Sequence, residues 1–165
     1  MSERSEPARA AESGEHRASA RSANASDVTA KPRPVPTPTS APFWDGLAHG
    51  EVRAQRCDAC GAWVHYPRHR CPACLADRLT WHTIDQRGTV YTFTVARRPT
   101  HPVFADEIPQ IIAVVELEHG LRLTTTLVDV EPSAVRIGLP VTAVFDVGDD
   151  GVTLLRFTLD VATNI

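Results

Sequence analysis

The four cysteines of the chain form two closely spaced pairs, Cys57 with Cys60 and Cys71 with Cys74. Each pair has the spacing C-x-x-C, which lets two thiolates point inward from one tight turn. Two such turns that face each other make a tetrahedral cage of four sulfur atoms. The spacing therefore predicts one structural metal ion held by all four cysteines, and Zn²⁺ is the favoured ion.

Three other interpretations of the cysteines stay open. Disulfide bonds are disfavoured because the first residues do not resemble a secretory signal and four cysteines are few for a stapled scaffold. A thioredoxin-like redox pair would need one C-x-x-C to open a helix in a βαβ unit. Iron in a rubredoxin-like site prefers the same four sulfurs as zinc, so the spacing does not exclude it. The nearby His65, His69 and His82 are interpreted as surface or packing residues, because four thiolates already complete a ligand set.

The composition changes sharply near residue 40. Residues 1–40 hold seven serines and no aromatic side chain, whereas residues 41–165 hold every Phe, Trp and Tyr. A segment so poor in apolar side chains cannot bury enough surface to offset its ordering entropy. We therefore predict a disordered tail over 1–40 that ends in an extended, proline-rich stretch at 31–38.

Charge and hydropathy restrict the partners of the chain. Neither an export signal nor an apolar stretch long enough to span a membrane is recognisable, so we expect a cytoplasmic protein that does not bind membranes. Residues 41–165 hold eleven basic and fifteen acidic side chains. Proteins that bind a nucleic-acid backbone usually present a basic surface, so this charge argues against a nucleic-acid partner.

Local patterns predict a mainly β fold with one short N-terminal helix. Residues 42–50 have a proline near the first turn and a glycine at the end, which favours a helix with Phe43 and Trp44 on its apolar face. Short strands flank the cysteine turns, and together they make a rubredoxin-like zinc ribbon. The ribbon strands are predicted at 51–56, 63–66 and 79–84.

Five further strands follow the ribbon, and five short antiparallel strands suit a small Greek-key barrel, the OB-fold. We expect Tyr91 and Phe93 to share one face of the first of these strands. The continuous apolar run at 111–117 is typical of a strand buried on both faces. The predicted barrel strands are 89–95, 111–117, 121–128, 141–145 and 152–159. The predicted organisation is a tail (1–40), a helix and zinc ribbon (41–86), an OB-fold (87–160) and a C-terminal end (161–165).

The order of these motifs resembles the DUF35 family, in which a rubredoxin-like zinc ribbon is joined to an OB-fold and which is described as acyl-CoA-associated. The resemblance covers roughly residues 42–160. The motifs that carry it are Phe43-Trp44, the two cysteine pairs, the run from Arg87 to Phe93, His101-Pro102, Val115-Glu116-Leu117 with Gly120, and the run from Ile137 to Val141.

The resemblance implies a function in lipid metabolism without catalysis by this chain. Family members lie beside thiolases, thiolase-like aldolases and ketoacyl synthase-like proteins, and several are required second subunits of them. The implied role is a non-catalytic accessory subunit of a complex that makes or breaks carbon–carbon bonds of acyl-CoA. The residues agree, because the metal uses all four cysteines and no lysine occurs in 41–165. The single serine of that part, Ser133, lies outside a G-x-S-x-G turn, so we predict no catalytic residue.

Two other functions stay open: a free-standing acyl-CoA or nucleotide-binding protein, and a single-stranded nucleic-acid-binding OB-fold. Arginines could bind phosphate groups, and exposed aromatic rings could stack on a ligand or anchor a partner. His101 lies in a long loop from which it could reach a partner's active site. The candidates for acyl-CoA or partner contact are Phe43, Trp44, Arg56, Arg68, Tyr91, Phe93, Arg97, Arg98 and His101.

Overall fold

The computed structural model describes residues 31–160, within which one α-helix, α1 (Ala41–Ala48), and eight β-strands form. Three short 3₁₀ helices connect some of the strands, at Pro102–Glu107, Glu118–Gly120 and Pro132–Ala134. The mainly β architecture predicted from the sequence is confirmed. The strands are β1 (Val52–Cys57), β2 (Trp63–Val64), β3 (Leu79–Ile84), β4 (Arg87–Ala96), β5 (Gln110–Leu117), β6 (Arg122–Leu127), β7 (Pro140–Val147) and β8 (Thr153–Leu159).

Most of the predicted disordered tail, residues 1–30, lies outside the described residues, as does the predicted C-terminal end, 161–165. Residues 31–36 form no helix or strand. The chain then turns into α1, where the carbonyl of Thr37 accepts hydrogen bonds from the N–H groups of Ser40 and Ala41. No helix within the described residues is long and apolar enough to cross a membrane.

The helix forms where its proline and glycine predict it. Pro42 lies in the first turn, where backbone N–H groups have no partner within the helix, so the lack of an N–H in proline costs no hydrogen bond. Gly50 adopts φ +72° just beyond the last turn, in the left-handed region that glycine enters without steric cost. Leu47 is buried, and Phe43 and Trp44 are half-buried with their rings edge to face at 5.3 Å.

The ribbon is a three-stranded antiparallel sheet in the order β2-β1-β3. Its central strand carries a buried amide, Gln55, which holds the loop between the cysteine pairs. The amide nitrogen of Gln55 donates to the carbonyl of Arg68 (3.1 Å), and its oxygen accepts from the Arg68 N–H (2.8 Å). Both polar atoms of the side chain are therefore satisfied, which lets the residue stay buried.

The barrel is closed, with strand order β4-β5-β6-β8-β7, as an OB-fold requires. Its strand pairs differ greatly in length. β5 pairs with β6 over six residues, whereas β6 and β8 are joined by a single pair, Leu127 with Phe157. The line between β6 and β8, here called the seam, is therefore the part of the barrel with the fewest backbone hydrogen bonds between strands.

Two expectations about strand faces are wrong. The register of β4 against β5 shifts between Val90 and Thr92, so Tyr91 is the extra residue of a bulge. Because the bulge resets the alternation, Tyr91 is exposed while Phe93 packs against the core. β5 is not buried on both faces either, since buried and half-buried residues alternate along it.

One hydrophobic core joins the ribbon to the barrel. Val52, Ala54 and Ile84 of the ribbon sheet belong to the same buried cluster as the barrel residues Val115 and Phe157. A second, smaller cluster of Cys57, Val64 and Cys71 lies at the metal end of the ribbon. The base of the ribbon is thus held by ordinary packing, and its tip depends on the cysteines.

Candidate metal centre and ligand cleft

The four cysteines lie together at the tip of the ribbon, where every Sγ atom is within 4.8 Å of the others. The Sγ atoms of Cys57 and Cys74 are 3.6 Å apart, and those of Cys60 and Cys71 are 3.7 Å apart. A tetrahedral zinc site with Zn–S bonds of about 2.3 Å requires sulfur atoms roughly 3.8 Å apart. A disulfide would need about 2.05 Å, so the geometry fits a shared metal ion and not two disulfides.

Backbone hydrogen bonds shape the two cysteine turns in the same way. The N–H of Gly61 donates to the carbonyl of Cys57 (2.8 Å), and the N–H of Leu75 donates to the carbonyl of Cys71 (2.9 Å). A residue at positive φ follows each pair, at +74° for Gly61 and +63° for Leu75. The two turns, here called knuckles, therefore present two thiolates each to a common point.

The two thiols of the second knuckle differ in their pKa values, since that of Cys71 is lowered and that of Cys74 is raised. At Cys74, a backbone hydrogen bond from Ala76 lowers the pKa, but hydrogen bonds among the cysteine thiols and burial outweigh it. Burial raises the pKa of the Cys71 thiol, but hydrogen bonds from the backbone N–H groups of Cys74 and Ala73 outweigh this effect and lower the pKa to about 7. Since metals bind thiolates and not thiols, this environment favours the ligand form. When bound, zinc in such a site cross-links the two knuckles, and with four protein ligands it leaves no open position for substrate.

A cleft of about 920 Å³ lies between α1, the loop after β2 and the seam of the barrel. This volume is within the range of small-molecule sites, about 300–1,000 Å³. Its walls are mostly apolar, with a line of threonines along β6. The lining residues include Phe43, Trp44, Leu47, His65, Ile112, Leu123, Thr124, Thr125, Thr126, Leu155 and Arg156.

His65 is the unusual polar residue of the cleft. Its ring packs between those of Phe43 (centroids 5.7 Å apart) and Tyr66 (4.2 Å). Burial lowers the pKa of His65 to about 4, so the ring is neutral at neutral pH. Within residues 31–160, its Nε2 is the one buried side-chain nitrogen or oxygen without a hydrogen-bond partner. A polar ligand atom in the cleft could supply that partner.

Side chains reinforce the seam where backbone pairing is sparse. Arg156 donates to the hydroxyl of Thr126 and to the carboxylate of Asp146, both at 2.6 Å. Thr125 donates from its hydroxyl to the carbonyl of Leu155 at 2.9 Å. These contacts fix the polar wall of the cleft.

Residues 31–36, here called the strap, border the cleft, and four of them line it: Lys31, Pro32, Arg33 and Val35. Lys31 pairs with Glu107 (2.6 Å), and Arg33 pairs with Asp150 (3.2 Å). The strap buries little apolar surface, since Val35 is exposed. Two partly exposed ion pairs therefore hold it, and such pairs contribute about 0–1 kcal/mol each.

The structure brings some of the predicted contact residues together. Phe43 and Trp44 line the cleft. Arg68 lines a smaller pocket of about 330 Å³ beside it, together with Trp63 and Arg122. Arg56 lies on the ribbon with its guanidinium 5.8 Å from the ring centre of Trp63, outside both pockets.

The remaining predicted contact residues lie elsewhere. The guanidinium of Arg122 stacks 3.6 Å from the ring centre of Tyr91, and Phe93 packs on the core. Arg97 and Arg98 are exposed after β4. His101 caps the 3₁₀ helix that follows it, where its Nδ1 accepts from the N–H of Val103 (3.3 Å). A role for these residues in acyl-CoA or partner contact stays a prediction.

Sequence reasoning missed the threonines of β6 and Arg156 as residues of the cleft, and it gave His65 only a surface or packing role. The run Thr124-Thr125-Thr126 was a usable signal, because three adjacent hydroxyls on a strand place polar groups on both of its faces. His65 and Arg156 gave no such signal, since their neighbours in the cleft come from distant parts of the chain.

Comparison with known proteins identifies the family. The family model for the rubredoxin-like zinc ribbon domain of ChsH2 matches residues 44–80, and that for its C-terminal OB-fold domain matches residues 81–146. A DUF35 domain-containing scaffold protein from Methanocaldococcus jannaschii is 39% identical over 103 residues, which are 59% of this chain and 72% of that protein. The chain belongs to the DUF35 family. The resemblance predicted from the motifs is thereby confirmed, and so is a zinc ribbon joined to an OB-fold.

Further similarities are to proteins whose names describe enzymes or enzyme subunits. A probable enoyl-CoA hydratase alpha subunit from Thermomonospora curvata is 36% identical over 129 residues, which are 77% of this chain and 39% of that protein. The DUF35 chain thus spans about two fifths of that relative's length. It also matches a chain of a solved structure described as Ltp2-ChsH2(DUF35) aldolase, with a TM-score of 0.70 and 34% identity over 77% of this chain and 98% of that one.

Proposed function

We propose that this chain is a non-catalytic accessory subunit of a complex that acts on acyl-CoA. Its partner would be a thiolase- or aldolase-type chain that makes or breaks a carbon–carbon bond. The observation that carries the proposal is the likeness to a chain of the Ltp2-ChsH2(DUF35) aldolase over 98% of that chain. The similarity to an enoyl-CoA hydratase alpha subunit supports acyl-CoA as the substrate of the complex.

The chemistry of the described residues supports a role without catalysis. The four thiolates form a closed ligand set, which is the arrangement of structural zinc sites. The cleft is lined by Ser40 and the three threonines of β6, and none of these hydroxyls hydrogen-bonds a histidine or a carboxylate. The hydroxyl of Ser40, for example, is paired with Thr37. An activated nucleophile of the usual kind would need such a base. Outside the cleft, the hydroxyl of Thr39 contacts His69 and that of Thr80 donates to Asp58.

Coexpression with thiolase- or aldolase-type candidate chains from the same genome tests the proposal. We expect the two chains to co-purify by size exclusion and the partner to lose activity or solubility without this chain. The Cys71→Ser variant is the matched control, because it should disrupt the knuckles and weaken assembly. A partner that is soluble, monodisperse and fully active alone would refute the accessory role.

A second candidate, direct binding of acyl-CoA by this chain, is favoured by the cleft. An apolar acyl group would lie against Phe43, Trp44 and Ile112, and a carbonyl or amide of the ligand could reach His65 Nε2. Isothermal titration with octanoyl-CoA, with free CoA as the comparison, tests this idea. Ile112→Trp should fill the cleft and abolish binding, whereas Ile137→Trp on the exposed barrel surface should not. No heat at millimolar octanoyl-CoA would exclude the candidate.

A further inference from the structure

The two knuckles have the same backbone hydrogen bonds but differ in the residue type at one position. In the first, the N–H of Cys57 donates to the carbonyl of Ala62 (2.9 Å), and in the second, the N–H of Cys71 donates to that of Ala76 (2.8 Å). In each knuckle, the residue between the second cysteine and the alanine that accepts this hydrogen bond has positive φ. It is Gly61 in the first knuckle and Leu75 in the second, so the second knuckle has a large apolar residue where the first has a glycine.

The backbone of Leu75 is strained, and no packing among residues 31–160 offsets the strain. An L-residue with a Cβ is disfavoured in the left-handed region, which glycine enters freely. The side chain of Leu75 nevertheless remains 69% exposed. Strain that a fold retains without a packing benefit commonly marks a position under functional selection.

Exposed apolar and basic side chains surround Leu75. Pro72 and Ala73 are exposed beside it and extend the apolar tip. Arg70 donates from Nη1 to the carbonyl of Leu75 at 3.2 Å. Arg70 and Arg78 are exposed and form no ion pair with any residue of 31–160. The tip therefore combines an exposed apolar side chain with guanidinium groups that can bind carboxylates, and the exposed Asp77 beside Arg78 offsets part of their charge.

We infer that Leu75 is the apolar anchor through which this chain binds its catalytic partner. The complementary surface is an apolar socket with carboxylate groups at its edge, which would pair with Arg70 and Arg78. This inference rests on the proposed function, because it names the surface by which the accessory subunit assembles. A few residues in well-packed, desolvated pockets near the centre of an interface commonly dominate its affinity, although Leu is less frequent among them than Trp, Tyr or Arg.

Docking at Leu75 has a consequence for the metal site. Cys60 and Cys74 are exposed, and Cys74 directly precedes the anchor. A partner seated on the knuckle would cover these sulfur atoms. Zinc should then be released to a chelator more slowly from the complex than from the isolated chain.

The test uses the full chain and the thiolase-like partner, with affinity measured by biolayer interferometry. Leu75→Asn keeps the side-chain size and tolerates positive φ, but removes the apolar surface. We expect it to weaken binding at least tenfold, whereas Leu75→Met should bind within about threefold of wild type. Ile137→Asn is the matched control, because Ile137 has the same 69% exposure and lies on the barrel. It should bind as tightly as wild type.

Two further measurements separate assembly from folding. Leu75→Gly should melt at the same temperature as wild type or higher, because the strain is relieved, and yet bind at least tenfold more weakly. Zinc release to 4-(2-pyridylazo)resorcinol should be slowed by the partner in wild type but not in Leu75→Asn. Wild-type affinity in both Leu75→Asn and Leu75→Gly would overturn the inference. A wild-type chain that does not bind the partner at all would overturn the proposed function along with it.

Discussion

Acidification should destabilise the folded chain through one half-buried side chain, His65. Its ring is neutral in the folded state because burial lowers its pKa to about 4, against 6.5 for an ordinary histidine. Between these two values the unfolded chain binds a proton that the folded chain excludes. Stability from this residue is thus fully present above about pH 6.5 and is lost as the pH falls towards 4.

The size of the effect follows from the two pKa values. Between about pH 7.5 and about pH 5, this single titration should lower the free energy of unfolding by about 2 kcal/mol. Replacing His65 by Phe or Gln removes the titrating group. Phe retains the ring contacts with Phe43 and Tyr66, and Gln retains a polar group, so the two variants separate packing from protonation.

Urea unfolding followed by tryptophan fluorescence at several pH values measures the effect. Both variants are expected to lose about 2 kcal/mol less than wild type over this range, whatever their stability at neutral pH. Zinc content should be measured at each pH, so that loss of metal is not mistaken for protonation of His65. Parallel curves of stability against pH for wild type and both variants would show that the reasoning is wrong.

Three other changes test the metal site, the barrel and the strap. Cys71→Ser should lower the bound zinc from one ion per chain to below half, by elemental analysis, and a full zinc complement would contradict the four-thiolate site. Gly88→Ala should lower stability by about 1–3 kcal/mol in urea, because a Cβ would lie 2.6 Å from the carbonyl oxygen of Glu116; an unchanged midpoint would count against this packing. The double variant Lys31→Ala, Arg33→Ala should raise the fluorescence of the apolar dye ANS while changing stability by less than about 1 kcal/mol. Equal dye binding would mean that the strap does not cover the cleft.

Local patterns were sufficient for the elements of the fold and for the cysteine cluster. The strands could be predicted because alternation and turn residues act over a few neighbours. The four cysteines could be grouped because two C-x-x-C pairs have few alternative uses in a short ribbon. The bulge at Tyr91 could not be predicted, since the alternation from Tyr91 to Val95 reads as regular in the sequence.

The cleft depends on contacts that no local pattern contains. Arg156 meets Thr126 thirty residues away, across a seam that exists only when the barrel is closed. His65 acquires its shifted pKa from burial beside Phe43, which belongs to a different element. Such properties arise from tertiary packing, and for that reason the histidine appeared ordinary in the sequence.

Because a single residue pair joins β6 and β8, this side of the barrel has the least backbone pairing to resist strand movement. Separating these two strands would break few backbone hydrogen bonds, together with the side-chain contacts Arg156–Thr126 and Thr125–Leu155, whereas the other four strand contacts of the barrel would stay intact. Fluctuations along this line would change the width of the adjoining cleft without unfolding the domain. A cleft bordered by such a side could therefore accommodate ligands of different size.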